Sequence, residues 1–131
     1  MTTSTPGPKR CLIIEDDELA AESLGMLLTF EGYEVRAAED GPGGLSLARE
    51  ILPEAILCDI SLPGPLDGLA VARACRADPD LRQVLLIGLS GYGEVEDLEN
   101  AREAGFDEYL VKPILLESIR KALRAGRRTA P

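Results

Sequence analysis

Five times along this chain a short apolar run gives way to a loop and then to a stretch whose apolar residues recur every three or four positions. The runs are Cys11–Glu15, Tyr33–Ala37, Ala55–Cys58, Val84–Leu89 and Asp107–Val111. CLIIE, AILC and VLLIGL show little polar alternation, the pattern of strands buried on both faces of a parallel sheet. YEVRA does alternate, which places it at an edge. The stretches between have the helical period. Glu18–Phe30 aligns Ala20, Leu24, Leu27 and Leu28, and Gly43–Leu52 aligns Leu45, Ala48, Ile51 and Leu52. Gly68–Ala77 aligns Val71, Ala74 and Cys75, and Glu94–Ala104 aligns Val95, Leu98 and Ala101. Ile114–Ala125 aligns Leu115, Ile119, Ala122 and Leu123. Gly32, Pro53, Pro79, Gly105 and Gly126 follow the helices as stop signals.

Parallel strands need crossover connections, and right-handed crossovers with short loops leave few strand orders. The expectation is an α/β fold: a doubly wound, five-stranded parallel sheet in order 2-1-3-4-5 with five helices, flavodoxin-like. The repeats are too short and varied for a solenoid. At 131 residues this is one domain with a core large enough to need no metal or disulfide. Its expected span is residues 10–125. Residues 1–9, small, polar and Pro/Gly-rich, are expected to be a disordered lead-in, and 126–131, GRRTAP, a disordered tail.

Composition removes several functions. With 23 acids against 14 bases the formal net charge is −9, which disfavours nucleic acid and anionic membranes as partners. No apolar run approaches a membrane span, and MTTSTPGPKR lacks a signal-peptide core, so a cytoplasmic location is expected. There is no histidine, which excludes Ser-His-Asp and Cys-His catalysis. Cys11, Cys58 and Cys75 form no CxxC, which argues against a structural zinc, and Cys11 and Cys58, which sit in apolar runs, read as small core residues.

In a doubly wound sheet the crevice lies beyond the carboxyl ends of the strands. There the sequence places Glu15-Asp16-Asp17, Asp59, Ser90-Gly91 and Lys112-Pro113. Carboxylates gathered in one crevice repel unless a proton or a cation neutralises them. A hard divalent ion such as Mg²⁺ suits few carboxylates with room for water and phosphate oxygens. A lysine and a serine hydroxyl beside that ion would surround the oxygens of a phosphoryl group, with a carboxylate as nucleophile. Taken singly the residues have plainer readings. Asp17 is a good N-cap for the helix from Glu18, Asp59 and Ser90-Gly91 could be turn residues, and Lys112 could be surface.

Together, CLIIEDDE, ILCDISLPGPLDG, LIGLSGYG and AGFDEYLVKPI resemble the receiver domain of bacterial two-component response regulators, over roughly residues 10–125. The resemblance implies that Asp59 is the phospho-acceptor, and that Glu15 and Asp16 are the metal-binding acids with Asp16 the direct ligand. It further implies that the Ser61 backbone carbonyl is a metal ligand, that Ser90 and Lys112 pair with the phosphoryl group, and that Tyr109 is the aromatic that moves with Ser90. It also implies a cis Lys112–Pro113 bond and a Mg²⁺ (or Mn²⁺) cofactor. The implied activity is signalling as a phospho-acceptor rather than as an enzyme. The implied partners are a sensor histidine kinase or histidine phosphotransfer protein and a downstream protein effector, with the domain a monomer or weak dimer. Asp59 to Gly68 is one residue longer than the commonest receiver spacing, Ser90 stands where threonine is commoner, and Ile114 stands where phenylalanine is frequent. Two other readings compete: a degenerate receiver acting as a phosphorylation-independent interaction module, and a flavodoxin-like FMN binder, which the acids after the first strand disfavour.

Overall fold

The computed structural model describes residues 9–91 and 97–128. Alternating strands and helices run β1 (Lys9–Ile14), α1 (Glu18–Phe30), β2 (Tyr33–Ala38), α2 (Gly41–Ile51), β3 (Ala55–Asp59), α3 (Gly68–Ala77), β4 (Leu85–Ser90), α4 (Asp97–Ala104), β5 (Glu108–Val111) and α5 (Leu116–Arg128). The five strands are parallel in order β2-β1-β3-β4-β5. This is the expected doubly wound sheet, with the alternating YEVRA run at its edge.

Because successive strand residues point to opposite faces, the apolar runs build two cores rather than one. Leu12, Ile14, Ile56, Cys58 and Leu86 pack against Leu45, Ala48 and Ile51 of α2, Val71 and Cys75 of α3, and Ala101 and Ala104 of α4. Cys11, Ile13, Leu57, Ile87 and Leu89 pack against Leu24 and Leu28 of α1 and Ile119, Ala122 and Leu123 of α5. Each full burial of a leucine or isoleucine stabilises the fold by roughly 1.5–3 kcal/mol. The three cysteines are free and buried, as expected. Burial pushes the Cys11 thiol up to about 12 and the Cys75 thiol up to about 11. Burial, and then the charge of Asp59, raises the Cys58 thiol as well, so none of the three is a ready thiolate.

Local capping explains most boundaries. Asp17 caps α1, its carboxylate accepting from the Leu19 and Ala20 N–H groups at 3.0 and 3.2 Å. Asp67 caps α3 in the same way through the Ala70 N–H at 2.9 Å. Asp40 caps α2 through the Gly43 N–H at 2.7 Å, with Pro42 in the first turn. That cap starts α2 at Gly41, two residues earlier than the Gly-Pro-Gly-Gly composition suggests.

Four expectations for individual residues need correcting. Leu52 is a left-handed C-cap with φ 47° and is 54% exposed, so it leaves the core face of α2. Leu115 precedes α5 and is 64% exposed instead of packing inward. Gly126 does not stop α5, which continues to Arg128 and takes in the first residues of the expected tail. A glycine inside a helix costs only about 1 kcal/mol, too little to break one by itself. Lys9, placed in the lead-in, begins β1. Residues 1–8 and 129–131, and Glu94–Glu96 of the expected fourth helix with Val95, lie outside the described residues. No helix among the described residues is long and apolar enough to cross a membrane.

Candidate functional site

Four segments meet where β1, β3, β4 and β5 end. The parallel register sets Ile14 beside Cys58, Asp59 beside Leu89 and Ser90 beside Val111. The residues that follow, Glu15, Ser61, Gly91 and Lys112, therefore emerge along one edge although 97 positions separate Glu15 from Lys112. The Lys112 N–H donates to the Ser90 carbonyl at 2.9 Å, which ties the two segments together. The Lys112–Pro113 bond is cis, as the resemblance implies.

Lys112 is the electrostatic centre. Its ammonium donates to Glu15 Oε1 at 2.8 Å and lies 3.5 Å from Asp59 Oδ2. Burial pulls the ammonium pKa down, but the bond to Glu15 and the charges of Asp59 and Glu15 outweigh it, so the lysine sits above its ordinary value. Glu15 is only 3% exposed, and its second oxygen accepts from the Asp17 N–H at 3.1 Å. Asp59 is 8% exposed and accepts through Oδ1 from the Ser61 N–H at 2.9 Å. Asp16 is exposed at the mouth.

One carboxylate oxygen each of Glu15, Asp16 and Asp59 lies within 4.8 Å of the others. Oxygens on one octahedral Mg²⁺ lie about 3–4 Å apart, since each sits about 2.1 Å from the ion. The donor set, all hard oxygen and net negative, fits such an ion with small side-chain adjustments. Glu15 and Asp59 are less adaptable than Asp16, because both oxygens of each are already engaged. Among the described residues no other group of three metal-capable side chains comes together.

Every residue named from the sequence is at this edge except Tyr109, which lies one layer in. Tyr109 pairs with Gly88 in the β4–β5 register, two positions from Ser90 along the same face of the sheet. Ser90 is buried at 2% exposure, while Tyr109 is half-buried. One feature escaped the sequence reading. An apolar cleft of about 260 Å³ abuts Glu15 and Lys112, lined by Ala20, Ser23, Leu27 and Ile114 among others. The small residues Ala20 and Ser23 leave this space on the flank of α1, the one trace of it in the sequence.

A doubly wound sheet whose strand ends gather three acids, a lysine and a serine defines a class of site. The sequence pattern of the response regulator receiver domain matches residues 11–124, and the chain belongs to this family of two-component signal transduction. It is 38% identical over 125 residues to the response regulator MprA of Mycobacterium sp. (strain KMS), covering 95% of this chain and 53% of that protein. The chain thus spans about half the length of the curated relatives it matches. The receiver domain of a sensor histidine kinase from Pseudomonas aeruginosa PAO1 is similar in structure, with a TM-score of 0.82 and 30% identity over 92% of this chain and 99% of that one. That structure has a magnesium ion coordinated in its active site cleft. A response regulator receiver domain protein from Clostridium thermocellum also has a TM-score of 0.82, at 25% identity over 92% of this chain and 95% of its own.

Proposed function

We propose that the chain is a phospho-accepting receiver, in which Asp59 takes a phosphoryl group from a phosphohistidine of a sensor kinase or histidine phosphotransfer protein. The observation that carries this reading is the single Lys112 ammonium set between Glu15 at 2.8 Å and Asp59 at 3.5 Å, with Asp16 beside them. An Asp59 carboxylate oxygen forms the new P–O bond while the P–N bond breaks, and the imidazole nitrogen keeps the bonding pair. Glu15, Asp16 and Asp59, with the Ser61 carbonyl, would hold Mg²⁺ or Mn²⁺, which supplies positive charge to oxygens that these acids would otherwise repel. Lys112 remains paired with Glu15 and turns its spare donors to a phosphoryl oxygen. The Ser90 hydroxyl donates to another.

The site is an open edge, which suits a macromolecular donor. α1, beside it, exposes Leu19, Met26 and Phe30 at 75, 69 and 72% along one helical stripe, a surface for the donor's apolar face. Phosphorylation then draws Ser90 toward Asp59, and Tyr109, on the same face of the sheet, follows into the vacated space. A protein effector reads the altered surface of α4, β5 and α5.

One experiment tests the reading. Acetyl phosphate with Mg²⁺ adds one phosphoryl group to the wild-type protein by intact mass, and Asp59→Asn, still folded, gains none. Beryllofluoride in the same buffer shifts the Tyr109 ring resonances in wild type and leaves them unmoved in Ser90→Ala. An unmodified wild type would leave a phosphorylation-independent module, and a modified Asp59→Asn would move the acceptor elsewhere.

A further inference from the structure

The charge of this domain is divided between two parts of very different sign. α5 carries five bases and one acid over its 13 residues, whereas the other 118 residues carry nine bases and 22 acids. Ile119, Ala122 and Leu123 turn the apolar side of α5 into the core, so its outer side is exposed. Lys121 and Arg124 are exposed there, and neither has an acidic partner among the described residues, whereas the neighbouring Arg120 is tied at 2.9 Å to Glu31, the C-cap of α1. Beside them Leu115 is 64% exposed at the rim of a shallow hollow of about 490 Å³ that Glu117, Lys121 and Arg124 also line. A leucine beside two unpaired cations is a surface with both an apolar anchor and a sign.

We infer that the outer face of α5 docks a short acidic segment of a partner protein, with an apolar side chain of that segment over Leu115 and its carboxylates on Lys121 and Arg124. This deepens the reading of the domain as a receiver by giving the chemistry of the partner. Screening decides between occupants. At physiological ionic strength charges beyond about 8 Å are largely invisible to one another, so a short segment on α5 senses the cations and not the acidic remainder. A nucleic acid or an anionic bilayer is long or flat. It would bring its phosphates against the acid-rich remainder as well, where the excess of acids over bases repels it.

The test is an amide NMR titration of the full chain with a synthetic 12-residue peptide rich in Asp and Glu around a central leucine, and with its Asn/Gln counterpart. The acidic peptide is expected to move amides between Leu115 and Arg124, and the neutral one to leave them in place. Reversing both charges, Lys121→Glu with Arg124→Glu, is expected to weaken binding at least tenfold, about 1.4 kcal/mol, with the milder Lys121→Gln, Arg124→Gln pair lying between. Modification of Asp59 by acetyl phosphate is expected to be unchanged in both, so failure of the docking surface and failure of the acceptor site are read separately. Equal binding of the neutral peptide would overturn the proposal. So would shifts centred on α1, a larger α5 response to an oligonucleotide or phosphatidylserine vesicles, or the same shifts arising from self-association without peptide.

Discussion

At the carboxyl edge of the sheet Lys112 faces Glu15 and Asp59. At the amino edge Arg76 of α3 faces Asp107 and a set of backbone carbonyls. The Arg76 guanidinium donates to the Gly105 carbonyl at 2.6 and 3.0 Å, to those of Arg82 and Val84 at 2.7 and 2.8 Å, and to Asp107 Oδ2 at 2.8 Å. Asp107 Oδ2 also accepts from the Leu86 N–H at 2.9 Å. Gly105, with φ +125°, must be glycine, and an added Cβ would sit 2.6 Å from Arg76 Cγ. The rigid fork of an arginine is thus saturated by fixed acceptors that join α3, the start of β4 and the end of α4. A lysine is a compact charge with rotatable donors, and Lys112 keeps some of them unfixed. The same pairing of cation and carboxylate makes a clamp where every donor is taken, and leaves donors for a further oxygen where some are not.

Exchanging these cations for methionine tests that contrast. The largest effect is expected from Lys112→Met, which should slow phosphorylation of Asp59 by acetyl phosphate by about 10²–10³-fold, as loss of one oxyanion donor does. A near wild-type rate in the mass-spectrometric time course would break the assignment of Lys112. Arg76→Met should leave that rate intact under native conditions but lower the unfolding free energy in urea by about 2–4 kcal/mol, with Arg76→Lys recovering little. A folded Arg76→Met that is not phosphorylated would show that the two edges are coupled.

Metal binding comes next in size. At a Mg²⁺ concentration about 100 times its Kd, the folded state gains about 2.7 kcal/mol, a rise of several degrees in Tm. Asp16→Asn should remove most of that rise and raise metal-free stability slightly, since it relieves repulsion among three carboxylates. Thermal circular dichroism measures both, and an unchanged Mg²⁺ increment would exclude Asp16 as a ligand. The smallest effect is at alkaline pH. The folded pKa of Lys112 is raised, so its stabilising charge is complete below the free-lysine value of about 10.4 and is lost as pH climbs through the folded value. Wild type should therefore lose stability relative to Lys112→Met as pH rises above about 10, and parallel urea midpoints there would contradict it.

The carboxyl edge was legible because each of its residues directly follows an apolar run, so finding the strand ends finds the acids, Ser90 and Lys112. The amino-edge clamp was not. Arg76 bonds mostly to backbone oxygens of residues six to 29 positions away, and carbonyls leave no mark in a sequence. Leu115 and Leu52 failed for a related reason. Helical spacing assigns a face only while the helix lasts, and both leucines lie just beyond an end, where the chain has already turned.

The one-residue-longer segment after Asp59 has a consequence for anyone rebuilding this scaffold. Leu62–Asp67 is held at both margins. On one side the Ser61 N–H grips Asp59, and on the other the Gly68 N–H donates to the Ile60 carbonyl at 3.0 Å. A Cβ on Gly68 would collide with the Asp59 carbonyl oxygen, so α3 begins directly against the backbone of β3. Pro63, Gly64 and Pro65 between these margins are all exposed. Their span is expected to tolerate changes of length and composition with Asp59 held in place, whereas a side chain at position 68 would meet the β3 backbone.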